Sequence, residues 1–207
     1  MKILEKKLEG LKSATKQSAD DKKSIVTIIK SLSLEELIIV DPLIKRLLKL
    51  DFFIDETPLV EWLGAKFLTD EYAKFIIKNN YKVKGEAAVY WALNKNLYFG
   101  NMHALEWIIV YFSSVNAIHL IEWSIKNNLK VGKDPTLKWV TEIGMNKEYF
   151  VNYAVINDCK IGNITALEWV IMEKELRYNK IIQICKKKGV KIDNQDPIKW
   201  ARSKNLI

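Results

Sequence analysis

Two cysteines in 207 residues, Cys159 and Cys185, are too few for a disulfide framework. No Cys-x-x-Cys pair and no Cys/His cluster offers zinc a ligand set. Free thiols buried in a reducing compartment are therefore expected. Eight glycines and four prolines are sparse for an all-β chain, which needs many tight turns. Apolar runs such as Trp107–Phe112 are far too short to span a bilayer. The opening MKILEKKLEG is charged throughout and lacks a signal-like apolar stretch. These absences point to a soluble, cytoplasmic protein that does not engage a membrane.

Catalytic signatures are missing as well. There is no glycine-rich phosphate loop, no GxSxG, no HExxH and no paired-cysteine motif. The two histidines, His103 and His119, each stand four residues before a tryptophan, with no carboxylate or thiolate at metal-ligand spacing. Glu61, Glu106, Glu122 and Glu168 each immediately precede a tryptophan, and that recurrence argues against acid–base catalysis, which needs a few unique groups. They read as solvated helix positions. Cys185 lies beside Lys186–Lys188, but its slot is an apolar one, so an inert buried thiol is expected. No enzyme activity, cofactor or metal is expected.

What is present is apolar bulk and repetition. Apolar residues make up 49% of the chain, including seven Trp, eight Tyr and seven Phe, which is the composition of a folded protein. The net charge of +8 is unevenly placed. Residues 1–50 carry eleven Lys/Arg against seven Asp/Glu (+4), 51–171 carry twelve against fourteen (−2), and 172–207 carry ten against four (+6). Basic ends around a near-neutral middle favour local attraction to acidic surfaces.

The first 55 residues read as a helical cap. Ile3, Leu4, Leu8, Leu11 and Ala14 fall on one face of a helix over 2–17, and a second helix is expected over Asp21–Leu32. Ser33-Leu-Glu-Glu36 is a capping box. Asp41-Pro42 reads as an N-cap followed by proline in the first helical position.

From residue 56 onward two helix types recur. Thr57-Pro-Leu-Val-Glu-Trp62, His103-Ala-Leu-Glu-Trp107, Asp134-Pro-Thr-Leu-Lys-Trp139, Thr165-Ala-Leu-Glu-Trp169 and Asp196-Pro-Ile-Lys-Trp200 are variants of one helix opening. The second type is shared by Lys74–Val83, Glu122–Val131, Asn152–Ile161 and Gln183–Ile192. Each of these ends in Asn, Asp or Gly, suited to the left-handed conformation that closes a helix. Lysine and Val/Ile follow, expected as a short extended exit with one side chain out and one in.

Asp134, Thr165 and Asp196 are spaced 31 residues apart, the length of a two-helix unit. Helices of about ten residues are unstable alone, so neighbour packing must hold them, with the tryptophans mostly in the core. The order falters near 71–101, where Tyr72–Gly85 and Ala87–Gly100, both of the second type, follow one another. The fold class expected is all-α, an array of short antiparallel helix pairs behind the N-terminal cap.

Thr57-Pro-Leu59, Asp196-Pro-Ile198 and Lys188-Gly-Val-Lys-Ile-Asp193 resemble the helix opening and closing turn of degenerate ankyrin repeats. The unit is shorter than that family's repeat of about 33 residues, tryptophan stands in the first helix, and the family's Gly-His between helices is absent. Another αα-repeat family would share these features. The resemblance implies a non-enzymatic scaffold for protein–protein interaction.

Lys82, Lys130, Lys160 and Lys191 hold the same place after each second-type helix. In an array they would line one edge, thickened at the C-terminal end by Lys186, Lys187, Lys188, Arg202 and Lys204. Such a row suits an acidic surface of another protein or, as the alternative, a nucleic-acid backbone bound without sequence readout. Edge lysines also serve solubility and discourage strand pairing, the simplest role for them. The apolar first helix could cap the array or pair with a second copy, which leaves oligomeric state open.

Overall fold

A computed structural model describes residues 19–67, 70–111, 114–173, 178–192, 194–203 and 205. The helix expected over 2–17 lies outside them. The protein is mostly helical, at 62%, with small antiparallel strand pairs between helices. All-α therefore holds only approximately, and the extended exits read from the sequence are first strands of hairpins.

The chain divides into two compact units, Met1–Ala92 and Leu93–Ile207. In the first, α1 (Ala19–Lys30), α2 (Leu34–Ile39) and α3 (Asp41–Lys49) precede the hairpin β1 (Phe53–Ile54) and β2 (Thr57–Pro58). Then come α4 (Leu59–Phe67), α5 (Glu71–Lys78), β3 (Lys82–Val83), β4 (Glu86–Ala87) and α6 (Ala88–Asn94), whose last two residues open the second unit. The capping box at Ser33 forms in full, with Glu36 N–H donating to Ser33 Oγ (3.2 Å) and Ser33 N–H to Glu36 Oε2 (3.0 Å).

Asp41 is not the N-cap the sequence suggests: Val40 takes that place and Asp41 is already helical. Its carboxylate instead accepts from Lys45 Nζ (2.8 Å) and from the Tyr72 hydroxyl of α5. Burial, and then this carboxylate, hold the Tyr72 pKa above its usual value. Lys66 Nζ donates to the Lys30 and Leu32 carbonyls (2.8 and 3.2 Å) and sits 4.7 Å from the Trp62 ring centroid. It ties the end of α1 to α4 by satisfying carbonyls that a helix terminus leaves open.

The second unit continues with β5 (Tyr98–Phe99), β6 (Met102–His103), α7 (Ala104–Tyr111), α8 (Ser114–Lys126), β7 (Lys130–Val131) and β8 (Asp134–Pro135). It ends with α9 (Thr136–Glu142), α10 (Lys147–Ile156), β9 (Lys160–Ile161), β10 (Ile164–Thr165), α11 (Ala166–Met172), α12 (Tyr178–Lys187) and α13 (Pro197–Ser203). Helix α10 packs against both α8 and α12, while α9 packs on α8 and α10 and α11 on α10 and α12. Leu105, Ile108, Ile121, Val140, Phe150, Leu167 and Val170 form their shared core. Asp134-Pro135, read from the sequence as a helix start, is strand β8, and the helix begins one step later at Thr136. The faltering order near 71–101 is real: α6 alone separates two hairpins.

One backbone scheme recurs through both units. Asp51, Asn80, Asn96, Asn128 and Asp158 follow helix ends at positive φ, between 47° and 53°. The next N–H in the chain folds back onto the helix, as in Tyr81 to Ile76 O, Leu129 to Ser124 O and Cys159 to Ala154 O, each 2.9 Å. The carbonyl of that same residue then receives an N–H from the start of the next helix, as in Thr136 to Leu129 O (2.9 Å) and Ala166 to Cys159 O (2.8 Å). A hairpin of two residues per strand is thus closed at its base.

Candidate partner-binding surface

Each hairpin sorts side chains by strand alternation. The second residue of the first strand points inward: Ile54, Val83, Phe99, Val131 and Ile161 are all buried. The first residue points the other way, and it is exposed at Lys82, Lys130 and Lys160. Register places these three identically, opposite Ala87, Pro135 and Thr165. Lys191 follows the same pattern before Ile192, which bridges to Gln195 and is fully buried. Among the described residues none of the four lysines makes an ion pair, unlike Lys45, Lys74 and Lys138.

In the second unit, side-chain clamps hold successive hairpins together. Asn128 donates from Nδ2 to the Gly162 carbonyl (3.0 Å) and accepts at Oδ1 from Gly162 N–H (2.9 Å). The hairpin carrying Lys130 is thereby fixed beside the one carrying Lys160. Asn96 does the same with Gly132, at 3.0 and 3.2 Å. In the first unit Asp51 accepts from the N–H groups of Lys84 and Gly85 (3.0 and 2.7 Å), which sets the hairpin of Lys82. Lys186, Lys187 and Lys188 are exposed at the end of α12, just before Lys191.

The place equivalent to Lys130 in the first hairpin of this unit belongs to Tyr98, opposite His103. Tyr98 is 47% exposed and leans edge-on against His103, with its hydroxyl over Gly132. The edge of the second unit therefore reads Tyr98, Lys130, Lys160, with Lys191 at the matching place of the next turn in the chain. Sequence reasoning overlooked Tyr98, although Asn96-Leu-Tyr-Phe-Gly100 aligns residue for residue with Asn128-Leu-Lys-Val-Gly132.

The histidines serve different ends. His103 is buried, its Nε2 2.8 Å from Asn96 Oδ1 and its Nδ1 accepting Leu105 N–H (3.0 Å). A neutral ring protonated on Nε2 satisfies both contacts. Burial pushes its pKa down to about 4. His119 is 77% exposed and, among the described residues, pairs with Glu122, 3.4 Å away on its own helix. No group of three or more His, Cys, Asp or Glu among the described residues is placed to hold a metal ion.

Two of the glutamates are not the solvated positions expected. Glu61 Oε1 accepts the Trp91 indole N–H (2.9 Å), joining α4 to α6. Glu122 Oε1 accepts the Tyr149 hydroxyl, joining α8 to α10, and this bond raises the tyrosine's pKa. Glu106 is exposed as expected. Burial pushes both Cys159 and Cys185 up to about 11, which keeps these thiols protonated and unreactive. Trp91, Trp169 and Trp200 are buried, and Trp62, Trp107, Trp123 and Trp139 are half-buried. No helix among the described residues is long and apolar enough to cross a membrane. No protein-family model matches this chain, and neither the curated proteins nor the solved structures gave a match.

Proposed function

We propose that the protein is a non-enzymatic helical-repeat scaffold whose hairpin edge grips an acidic surface of another protein. The observation that carries this is the repeated, unpaired lysine at one strand position, on hairpins that asparagine side chains tie together. The recurring order of hairpin and helices is also what an ankyrin-like repeat would give. Repeat architecture leads to partner binding by fold-level analogy, with each repeat supplying one contact position. Two of the glutamates that recur before tryptophan, Glu61 and Glu122, hold neighbouring helices together, which supports a structural role for these two over acid–base chemistry.

The edge suits an acidic segment for a physical reason. Among the described residues, Lys130, Lys160 and Lys191 each present a cation without a neutralising carboxylate, so an incoming anion displaces water and counterions. Tyr98 adds an amphipathic ring at the end of the row. Fluorescence anisotropy with a poly-glutamate peptide, titrated with salt, tests the surface. Binding should weaken as salt rises, and replacing Lys130, Lys160 and Lys191 together by Glu should weaken it by about tenfold or more. Unchanged affinity would dismiss the row. Tighter binding of generic duplex DNA or RNA than of the peptide would transfer the row to nucleic-acid backbones.

A further inference from the structure

Among the described residues of the first unit, two surfaces have no partner, and their chemistries match. One is α2. Its capping box fixes its start, and Leu37 is buried in the core. Leu34, Ile38 and Ile39 are nevertheless exposed at 52%, 69% and 56%, with Glu35 exposed among them. An exposed aliphatic cluster this dense on six residues is costly to hydrate and marks an interaction site.

The other surface is a groove of about 760 Å³ between α1, the end of α3 and β1. Val26, Leu50, Phe52 and Phe53 give it an apolar floor, and Lys22 and Lys23 stand on its rim. Its remaining charges are already used. Lys30 Nζ pairs with Asp55 (2.6 Å), and the Asp51 carboxylate holds the Lys84 and Gly85 N–H groups. Two cations over an apolar floor are left.

We propose that this groove receives α2 of a second copy of the chain. Leu34, Ile38 and Ile39 would enter the floor, and Glu35 would meet Lys22 and Lys23. The chain's own α2 cannot do this, because Leu37 and Val40 anchor it in its own core and none of its residues lines the groove. Both surfaces belong to one unit, so two copies can exchange helices in a closed twofold pair. An acidic, aliphatic helix also fits the rim better than a basic segment would.

Sedimentation equilibrium on the full chain, from roughly 1 to 200 µM, tests the pairing. Concentration-dependent association is expected. Ile38→Glu, at an exposed position, and Lys22→Glu with Lys23→Glu should each move it to concentrations about tenfold higher or more, with circular dichroism confirming the fold. Adding Glu35→Lys to the double lysine replacement should restore association. A monomer throughout that range, association indifferent to these substitutions, or a charge swap that restores nothing would each overturn the proposal.

Discussion

His103 occupies a position that Thr165 fills two hairpins later, opposite the first strand residue and at the entrance to a helix. Both side chains receive an N–H from that helix, so imidazole here does the work of a cap. The difference is that imidazole titrates. Its folded pKa of about 4 lies below the unfolded value of about 6.5, so the unfolded chain binds the proton more readily. The stability His103 contributes is complete above about pH 6.5 and is lost as pH falls towards 4. At pH 4.5 the loss should be roughly 2–3 kcal/mol. Urea unfolding at pH 7 and pH 4.5 checks this, with His103→Thr expected to lack that part of the acid sensitivity. Gly132 gives a second test. A β-carbon there would collide with the Tyr98 hydroxyl on a backbone at φ +67°, whereas Gly162, at φ +64°, has open space. Gly162→Ala should cost only the conformational penalty, about 1–2 kcal/mol, and Gly132→Ala measurably more. In a Tyr98→Ala background that difference should close.

At the scale of elements, what the sequence made legible was local chemistry. The Asn, Asp or Gly after each second-type helix predicts a left-handed closing residue, and Asn80, Asn128, Asp158 and Gly189 all have positive φ. The out-then-in exit was readable for the same reason. The hairpins were not, because two residues per strand leave no run of alternation to detect. Asp134-Pro135 reads as a helix start because proline suits a first helical turn, yet proline suits an edge strand equally, which is what forms. The asparagine clamps were hidden by distance: Asn128 meets Gly162 across 34 residues, and its left-handed backbone already explained the residue type. That double duty can be separated. Asn128→Gly keeps the backbone and loses the two bonds, at about 1–2 kcal/mol, while Asn128→Ala adds the strain of positive φ. An Asn128→Gly variant as stable as the unsubstituted chain in denaturant unfolding would mean the clamp contributes nothing.

For the whole molecule, the described helices run from six to thirteen residues, lengths that do not hold in isolation. Helicity is therefore a readout of tertiary packing. Far-ultraviolet circular dichroism should report a helix content near 62%, and a value under half would contradict the fold. The same dependence explains why so much apolar surface is committed between neighbouring helices and so little to one central cavity. The candidate edge of the second unit was legible in the sequence: Lys130, Lys160 and Lys191 share one place after their helices, and the match of Asn96–Gly100 to Asn128–Gly132 puts Tyr98 in the same slot. Its pairing opposite His103 required the register of β5 and β6.

The clamps engage only main-chain atoms of the glycine they hold. Nothing in them refers to the side chains at positions 130, 160 and 191, whereas Tyr98 lies over the clamped Gly132 and against His103. The framework and its outward lettering are consequently separable: a new set of residues can be written along the edge without revising what supports it. In a lineage under pressure to change partners, the three lysine sites are where substitution would be cheapest.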